Sequence, residues 1–313
     1  MRHFANQLVR VITTLLAVCF LINVLLYFMP GDPAAIVAGD LATPEQIEKV
    51  RKDLHLDEGL LTRYVEWVAL AVQGNLGISL VNKPGASVLG LIAERIPVTL
   101  QVTGFALILA VLIALPAGVA AAVRPGSWPD RLITAIGSIA LAIPGFVVGV
   151  VLVSILAVKY AILPSAGFVS PFENLGEWFT HLVMPALALA AVPAAELARQ
   201  TRGAMVDVFQ ESFIRTARAS GLPRWVVILK HAGKAAAPPV LTVFGLQAAF
   251  LLGGAIVIEQ IFVLPGLGSL AYDAVLIRDI PLIQGVVIAG AVIVLTVNLL
   301  VDVALYYLVP KSR

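Results

Sequence analysis

Apolar residues run through this chain in long blocks rather than in short alternations. Six blocks carry few or no charges: 11–31, 96–123, 132–158, 178–195, 235–258 and 280–301. A helix needs roughly 20 apolar residues to cross a bilayer core, and each block suffices for one crossing, the fourth being the shortest. One such block alone could be a buried core helix; six in one chain predict six transmembrane helices. Between the first two blocks the chain turns polar over 31–95, too long a stretch for a simple connection. There Thr43-Pro44-Glu45 predicts a helix start, with Thr as N-cap and Pro in the first turn. One short helix is expected over 45–54 and another over 60–72, then an extended or turn segment over 76–80. Pro84, Gly85 and Pro97 mark the return to the membrane. The organisation expected is a tail and first helix over 1–30, a small ordered extramembrane domain over 31–95, and a five-helix core over 96–313.

The fourth and fifth blocks are separated by ESFIRTARASGLPRWVVILKHAGK, residues 211–234, within a connecting loop over 203–238. It holds five basic side chains, Arg215, Arg218, Arg224, Lys230 and Lys234, and one acid, Glu211. Residues 211–220 favour helix. Gly221-Leu222-Pro223 ends it, because Gly suits the left-handed position after a helix and Pro suits the start of the next. A second helix is expected from Arg224 to Lys234, stopping where Pro238-Pro239 opens the fifth crossing. The pair reads as an amphipathic hairpin lying along the membrane. Its plain role would be an anchor on anionic lipid; a turn so well specified points instead to a docking element for a partner.

Composition supports the membrane reading. The chain of 313 residues is 60% hydrophobic and 13% charged, against about 25% charged for soluble domains. If both ends face the cytoplasm, the segments on that side hold 13 of the 21 Lys and Arg residues, including Arg2, Arg10, Arg124, Arg131 and the seven from Arg199 to Lys234. Six of the other eight lie in the 31–95 loop, and short loops decide orientation. Both termini and the basic hairpin are therefore expected in the cytoplasm and 31–95 outside. Phe28-Met29-Pro30-Gly31 is not a small-x-small cleavage site, so the first block is read as a retained helix. Cys19, the one cysteine, allows no internal disulfide.

Much chemistry is excluded. Gly233-Lys234 lacks the upstream Gly and following hydroxyl of a P-loop, and there is neither Gly-x-Ser-x-Gly nor His-Glu-x-x-His. His3, His55, His181 and His231 are scattered. No metal site, cofactor or catalytic group is expected in this chain, nor any nucleic-acid partner. Ionisable residues inside membrane blocks are costly and usually face a cavity or a partner. Glu259 is thus a candidate for the translocation path or a gate. Asn298 and Asp302, one helical turn apart, are candidates for the path or for an interhelical hydrogen-bonding pair. Glu196 and Arg199 are spaced to pair with each other. Pro144, Pro185 and Pro193 are expected to kink the third and fourth helices.

Taken together, these segments resemble a known family. Arg215-Thr216-Ala217-Arg218-Ala219-Ser220-Gly221-Leu222 resembles the coupling loop of ABC importer permeases, with the Glu and first Ala of the general Glu-Ala-Ala-x3-Gly pattern replaced. Met29-Pro30-Gly31-Asp32-Pro33-Ala34, Gly74-Asn75-Leu76-Gly77, Arg95-Ile96-Pro97-Val98-Thr99-Leu100, Gly266-Leu267-Gly268 and Arg278-Asp279-Ile280-Pro281 are similar to the first-permease type of the dipeptide, oligopeptide and nickel branch. Asn75 stands where Asp is usual, and Val309-Pro310-Lys311 where Asp-Pro-Arg is usual.

The resemblance covers essentially the whole chain and implies an all-α integral membrane protein with the type I ABC importer transmembrane fold. It implies half of a translocation pore for short peptides in a bacterial plasma membrane, working with a second homologous permease, two cytoplasmic ABC ATPase subunits and an extracytoplasmic substrate-binding protein. ATP and Mg would be bound by the ATPases, and the surrounding membrane lipid is the remaining partner. Nickel, glutathione or another small solute are alternative cargoes, and a signalling scaffold without transport is a remote one. The same resemblance implies ATPase coupling through Arg215, Thr216, Ala217, Arg218, Ala219, Gly221, Leu222 and Arg224. It implies docking of the binding protein near Asp32, Arg278 and Asp279.

Overall fold

The computed structural model describes residues 2–28, 32–39, 42–53 and 57–308. Met29-Pro30-Gly31 and Val309-Pro310-Lys311 lie outside them. Apart from one isolated bridge between Ile78 and Ser87, the regular structure among these residues is helical. Five helices are long and apolar enough to cross a membrane, within Val9–Tyr27, Val88–Val123, Leu175–Phe209, Arg224–Ile261 and Ile280–Leu305. A bent pair, Trp128–Ala142 with Gly145–Lys159, turned by 97° at the break, is apolar enough when taken together and makes six if the pair is one span. The chain forms two compact units, residues 1–98 with 265–295 and residues 99–264 with 296–313.

The first unit contains α1 (Arg2–Tyr27), α2 (Pro33–Ala38), α3 (Pro44–Asp53), α4 (Leu60–Val72), the start of α5 (Val88–Val123), α12 (Leu267–Leu276) and the start of α13 (Ile280–Leu308). The α3 start is a reciprocal cap: the Gln46 N–H donates to Thr43 Oγ1 at 3.4 Å, and the Thr43 N–H donates to Gln46 Oε1 at 2.8 Å. Leu26, Val88, Ile92, Leu267, Leu270, Leu282 and Ile283 form its buried core. A Cβ on Gly285 would collide with Val88 and come within 3.1 Å of Ile92. Only Gly lets α5 and α13 cross so closely there. Buried Asn23 accepts from Gln284 Nε2 at 2.9 Å and donates to the Cys19 carbonyl at 2.9 Å, fastening α1 to α13 where an unpaired amide would be costly.

The second unit holds the rest of α5, α6 (Trp128–Ala142), α7 (Gly145–Leu152, continued as a π-helical stretch Val153–Lys159), α8 (Leu175–Phe209), α9 (Ser212–Ala219), α10 (Arg224–Val226), α11 (Gly233–Ile261) and the end of α13. Its centre is α8, which packs against α6, α7 and α11 and buries Leu182, Met184, Leu189, Leu197 and Met205. Gly118 brings α5 against α8: a Cβ there would sit 2.7 Å from the Ala198 carbonyl oxygen.

Two expectations about proline need correction. Pro144 does not merely kink a single helix; the third block breaks there into two helices, since Pro144 has no N–H for the Ala140 carbonyl. Pro238 and Pro239 do not open a new helix. The helix is continuous from Arg224 to Ile261, through a π-helical stretch at Val227–Ala232. Proline's fixed φ is already helical, and membrane helices re-satisfy the freed carbonyls locally. Pro185 and Pro193 lie inside the continuous α8.

Candidate functional site

The basic segment between α8 and α11 folds as a helix, a tight turn and the start of a second helix. α9 is amphipathic, with Ile214 and Ala217 buried and Phe213, Arg215, Thr216, Arg218 and Ala219 exposed. Ile214 and Ala217 enter a cluster with Met205 of α8, Ala122 of α5, Val227, Ala232 and Ala236. The hairpin is thus seated on the ends of three long helices, and the seat is built of small residues. Ala217 was expected to allow close approach of a partner. At 8% exposure it faces inward, and its size serves the packing of α9 on this chain.

The turn has a clear conformational cause. The Gly221 N–H donates to the Arg218 carbonyl at 3.1 Å, and Gly221 adopts φ +76°. A Cβ there would meet nothing within 4 Å, so the need for Gly is conformational rather than steric. The Pro223 carbonyl then accepts from the N–H groups of Val226 and Val227 at 3.0 and 3.2 Å and starts the next helix. Arg215 Nη2 donates to the Gln210 carbonyl at 3.0 Å, and the Arg218 guanidinium lies 5.5 Å over the Phe209 ring. Thr216, Ala219, Gly221, Leu222 and Arg224 are exposed. Of the eight residues assigned to coupling, seven form one outward surface and Ala217 lies beneath it.

A feature missed in the sequence ties the turn between α5 and α6 to α8, the helix that leads into the hairpin. Asp130, in the first turn of α6, is buried and accepts from Arg202 through both Nε and Nη2, the latter at 2.8 Å. It also accepts from the Gly126 N–H at 2.8 Å and Thr134 Oγ1 at 3.4 Å. The 124–131 turn is thereby tied to α8 seven residues before that helix ends. An acid in a helix first turn and an arginine in α8 with no acid at pairing distance along that helix were the only signals in the sequence. Glu196 and Arg199 do pair, at 2.7 Å.

The other candidates are dispersed. Glu259 of α11 is fully buried and accepts from Thr99 Oγ1 at 2.6 Å. Asn298 and the exposed Asp302 sit on α13. Asp32 caps α2 through the Ala34 N–H at 3.0 Å and pairs with Arg51 Nη2 at 2.6 Å. Asp279 is fully buried, and its Oδ2 accepts from Ser79 Oγ at 2.6 Å and from the N–H groups of Leu80, Val81 and Asn82 at 3.1, 3.0 and 3.0 Å. Its carboxylate organises that loop and cannot itself touch a partner. Neighbouring Arg278 is exposed, with φ +57°.

Residues 114–313 match the family described as binding-protein-dependent transport system inner membrane component, and residues 1–103 match its N-terminal companion. The chain belongs to this family. It is a permease, a transport subunit rather than an enzyme, and a multi-span protein of a family that works with ATPase and binding-protein partners. It is 35% identical over 311 residues to the probable peptide ABC transporter permease protein y4tP of Sinorhizobium fredii, covering 99% of each chain. It is 38% identical over 313 residues to the glutathione transport system permease protein GsiC of Escherichia coli, covering 100% of this chain and 99% of that one. An inward-facing structure of the MetNI methionine ABC transporter shares the fold, with a TM-score of 0.58 at 20% identity over 70% of this permease and 97% of that chain.

Proposed function

We propose that this permease forms half of the pore of an ATP-driven importer for short peptides. Two relatives support that cargo class, one described as a probable peptide permease and one as a glutathione permease, and glutathione is itself peptide-like. The observation that carries the coupling role is the basic α9 surface, seated on the ends of α5, α8 and α11, with α8 in turn tied to the start of α6 by Asp130 and Arg202. A push on a hairpin packed this way reaches three spanning helices at once. Closure of cytoplasmic ATPases on binding ATP would bias the helix bundle between two arrangements. In this scheme both termini and the 203–238 loop lie in the cytoplasm, and 31–95 forms an extracytoplasmic domain. The binding protein docks near Asp32 and Arg278, on a surface whose loop Asp279 shapes from beneath. Glu259, held by Thr99, is assigned to the gate, and Asn298 with Asp302 to the path.

The test is gentle purification from the native membrane, with identification of everything bound by mass spectrometry. Two ATPases, a second permease and a peptide-loaded binding protein are expected. A preparation lacking stoichiometric ATPase would refute the reading.

A further inference from the structure

A cavity of about 390 Å³ opens beside the hairpin, lined by Val123, Arg124, Phe209, Arg218, Leu222, Arg224, Val227 and Ile228. Three features of it are informative. Its walls are the last residues of α5 (Val123) and α8 (Phe209) and the first turns of the helix Arg224–Ile261, so it lies at the ends of three candidate spans. Its charge is one-sided: three arginines, Arg124, Arg218 and Arg224, line it and no carboxylate does. Among the described residues Arg124, Arg218 and Arg224 form no ion pair, and the one contact of this kind is the Arg218 guanidinium over the Phe209 ring. Finally, its surroundings are apolar and exposed, as in Trp225 and Leu229, each 67% exposed, and Val123 at 43%. Interfacial Trp and exposed aliphatic groups beside arginines match the boundary between headgroups and acyl chains.

We propose that this cavity is a binding site for the phosphate of an anionic phospholipid. Three arginines lining one cavity with no acid among them favour a bound anion. Arginine forks match phosphate oxygens in pairs, and basic pockets between spanning helices on the cytoplasmic side suit lipid headgroups. The volume, room for about a dozen waters, accommodates a phosphate with its ester substituents, while the acyl chains run out over Val123, Leu222 and Leu229. The lipid then steadies one flank of the hairpin through Arg218, Leu222 and Arg224, which moves those three from the coupling surface to the lipid and leaves Arg215, Thr216, Ala219 and Gly221 for the ATPase. This site is additional to the coupling role.

The experiment uses the complete transporter, exchanged into neutral detergent with added phosphatidylglycerol or phosphatidylcholine and examined by native mass spectrometry. Wild-type complex is expected to retain about one phosphatidylglycerol per copy of this permease and to release phosphatidylcholine. Arg124→Gln combined with Arg224→Gln should lower that retention at least tenfold, whereas Arg131→Gln, outside the cavity, should leave it unchanged. A photoactivatable phosphatidylglycerol on the wild-type complex gives a reading that no folding defect can disturb, with adducts expected in peptides covering 209–228. Equal retention in the double variant, or adducts only elsewhere, would overturn the proposal. Complete displacement of the lipid by 10 mM inorganic phosphate would assign the site to a free anion instead. Loss of ATPase subunits from the double variant with lipid retention intact would assign the arginines to the ATPase. Co-purification of the ATPases with wild-type complex is scored in the same spectra, so a failure of the importer reading is separable from a failure of the lipid site.

Discussion

Asp130 and Arg202 provide the sharpest quantitative test of how the hairpin is held. Asp130→Ala removes a buried acceptor of four hydrogen bonds and strands two groups, the Arg202 guanidinium and the Gly126 N–H. Breaking a fully buried pair costs about 3–5 kcal/mol, because a charge is left without compensation. Arg202 keeps 35% of its side-chain surface exposed and can partly rehydrate, so the cost falls below that range: about 2–3 kcal/mol, including about 1 kcal/mol for the orphaned Gly126 N–H. Arg202→Ala should cost about as much, since it strands the better-buried partner. The double variant should cost less than the sum of the two, with a coupling energy of about 1.5–2 kcal/mol. The assay is thermal or SDS unfolding of purified complexes, run as a double-mutant cycle. Additivity to within about 0.5 kcal/mol would refute the clamp. Because Arg202 lies on α8, whose Met205 packs against Ile214 and Ala217 of α9, both single variants should also lower the ratio of uptake to ATP hydrolysis.

Other perturbations have definite expected outcomes. Gly221→Val forces a β-branched residue to φ +76° at a cost of about 1–2 kcal/mol; uptake should collapse with membrane insertion intact, and Gly221→Asn, which tolerates that conformation, should retain most of it in a cell-uptake assay. Asp279→Ala leaves the N–H groups of Leu80, Val81 and Asn82 without their acceptor, so hydrogen exchange over 79–83 should accelerate by at least tenfold while the α8 core stays protected. Gly285→Ala places a methyl group against Val88 and Ile92 and should destabilise the first unit by about 1–3 kcal/mol through overpacking, with Val88→Ala restoring part of the loss in the same unfolding assay.

Local signals were read well in this sequence and long-range partnerships were not. The 60–72 helix appears with the same bounds, the Thr43 cap is present, and the Gly221-Leu222-Pro223 turn is set by its own residues. Each depends on physics within a few positions of the chain. The size of the Pro144 break depends on how α6 and α7 pack on α8, which hydropathy does not encode. The inward orientation of Ala217 depends on which face of α9 meets Met205 and Ala122. Pairings such as Asp130 with Arg202, Asp279 with the 79–82 loop and Asn23 with Gln284 join residues separated by 72, about 200 and 261 positions. A single sequence holds the members of such pairs but not their adjacency. The exposed basic face of the hairpin was legible because it is contiguous along the chain; the clamp between Asp130 and Arg202 was not.

The account rests on α9 presenting one face to an ATPase and the other to its own bundle. The direct measurement is thiol cross-linking of single-cysteine variants in the assembled transporter, in a Cys19→Ala background, with and without ATP. Ala219→Cys, on the exposed face, should form an adduct with an ATPase subunit whose yield changes when ATP binds, and Ala217→Cys, beneath it, should form none. Absence of an ATPase adduct at Ala219→Cys in a complex that still imports, or an equal adduct at Ala217→Cys, would contradict the coupling role.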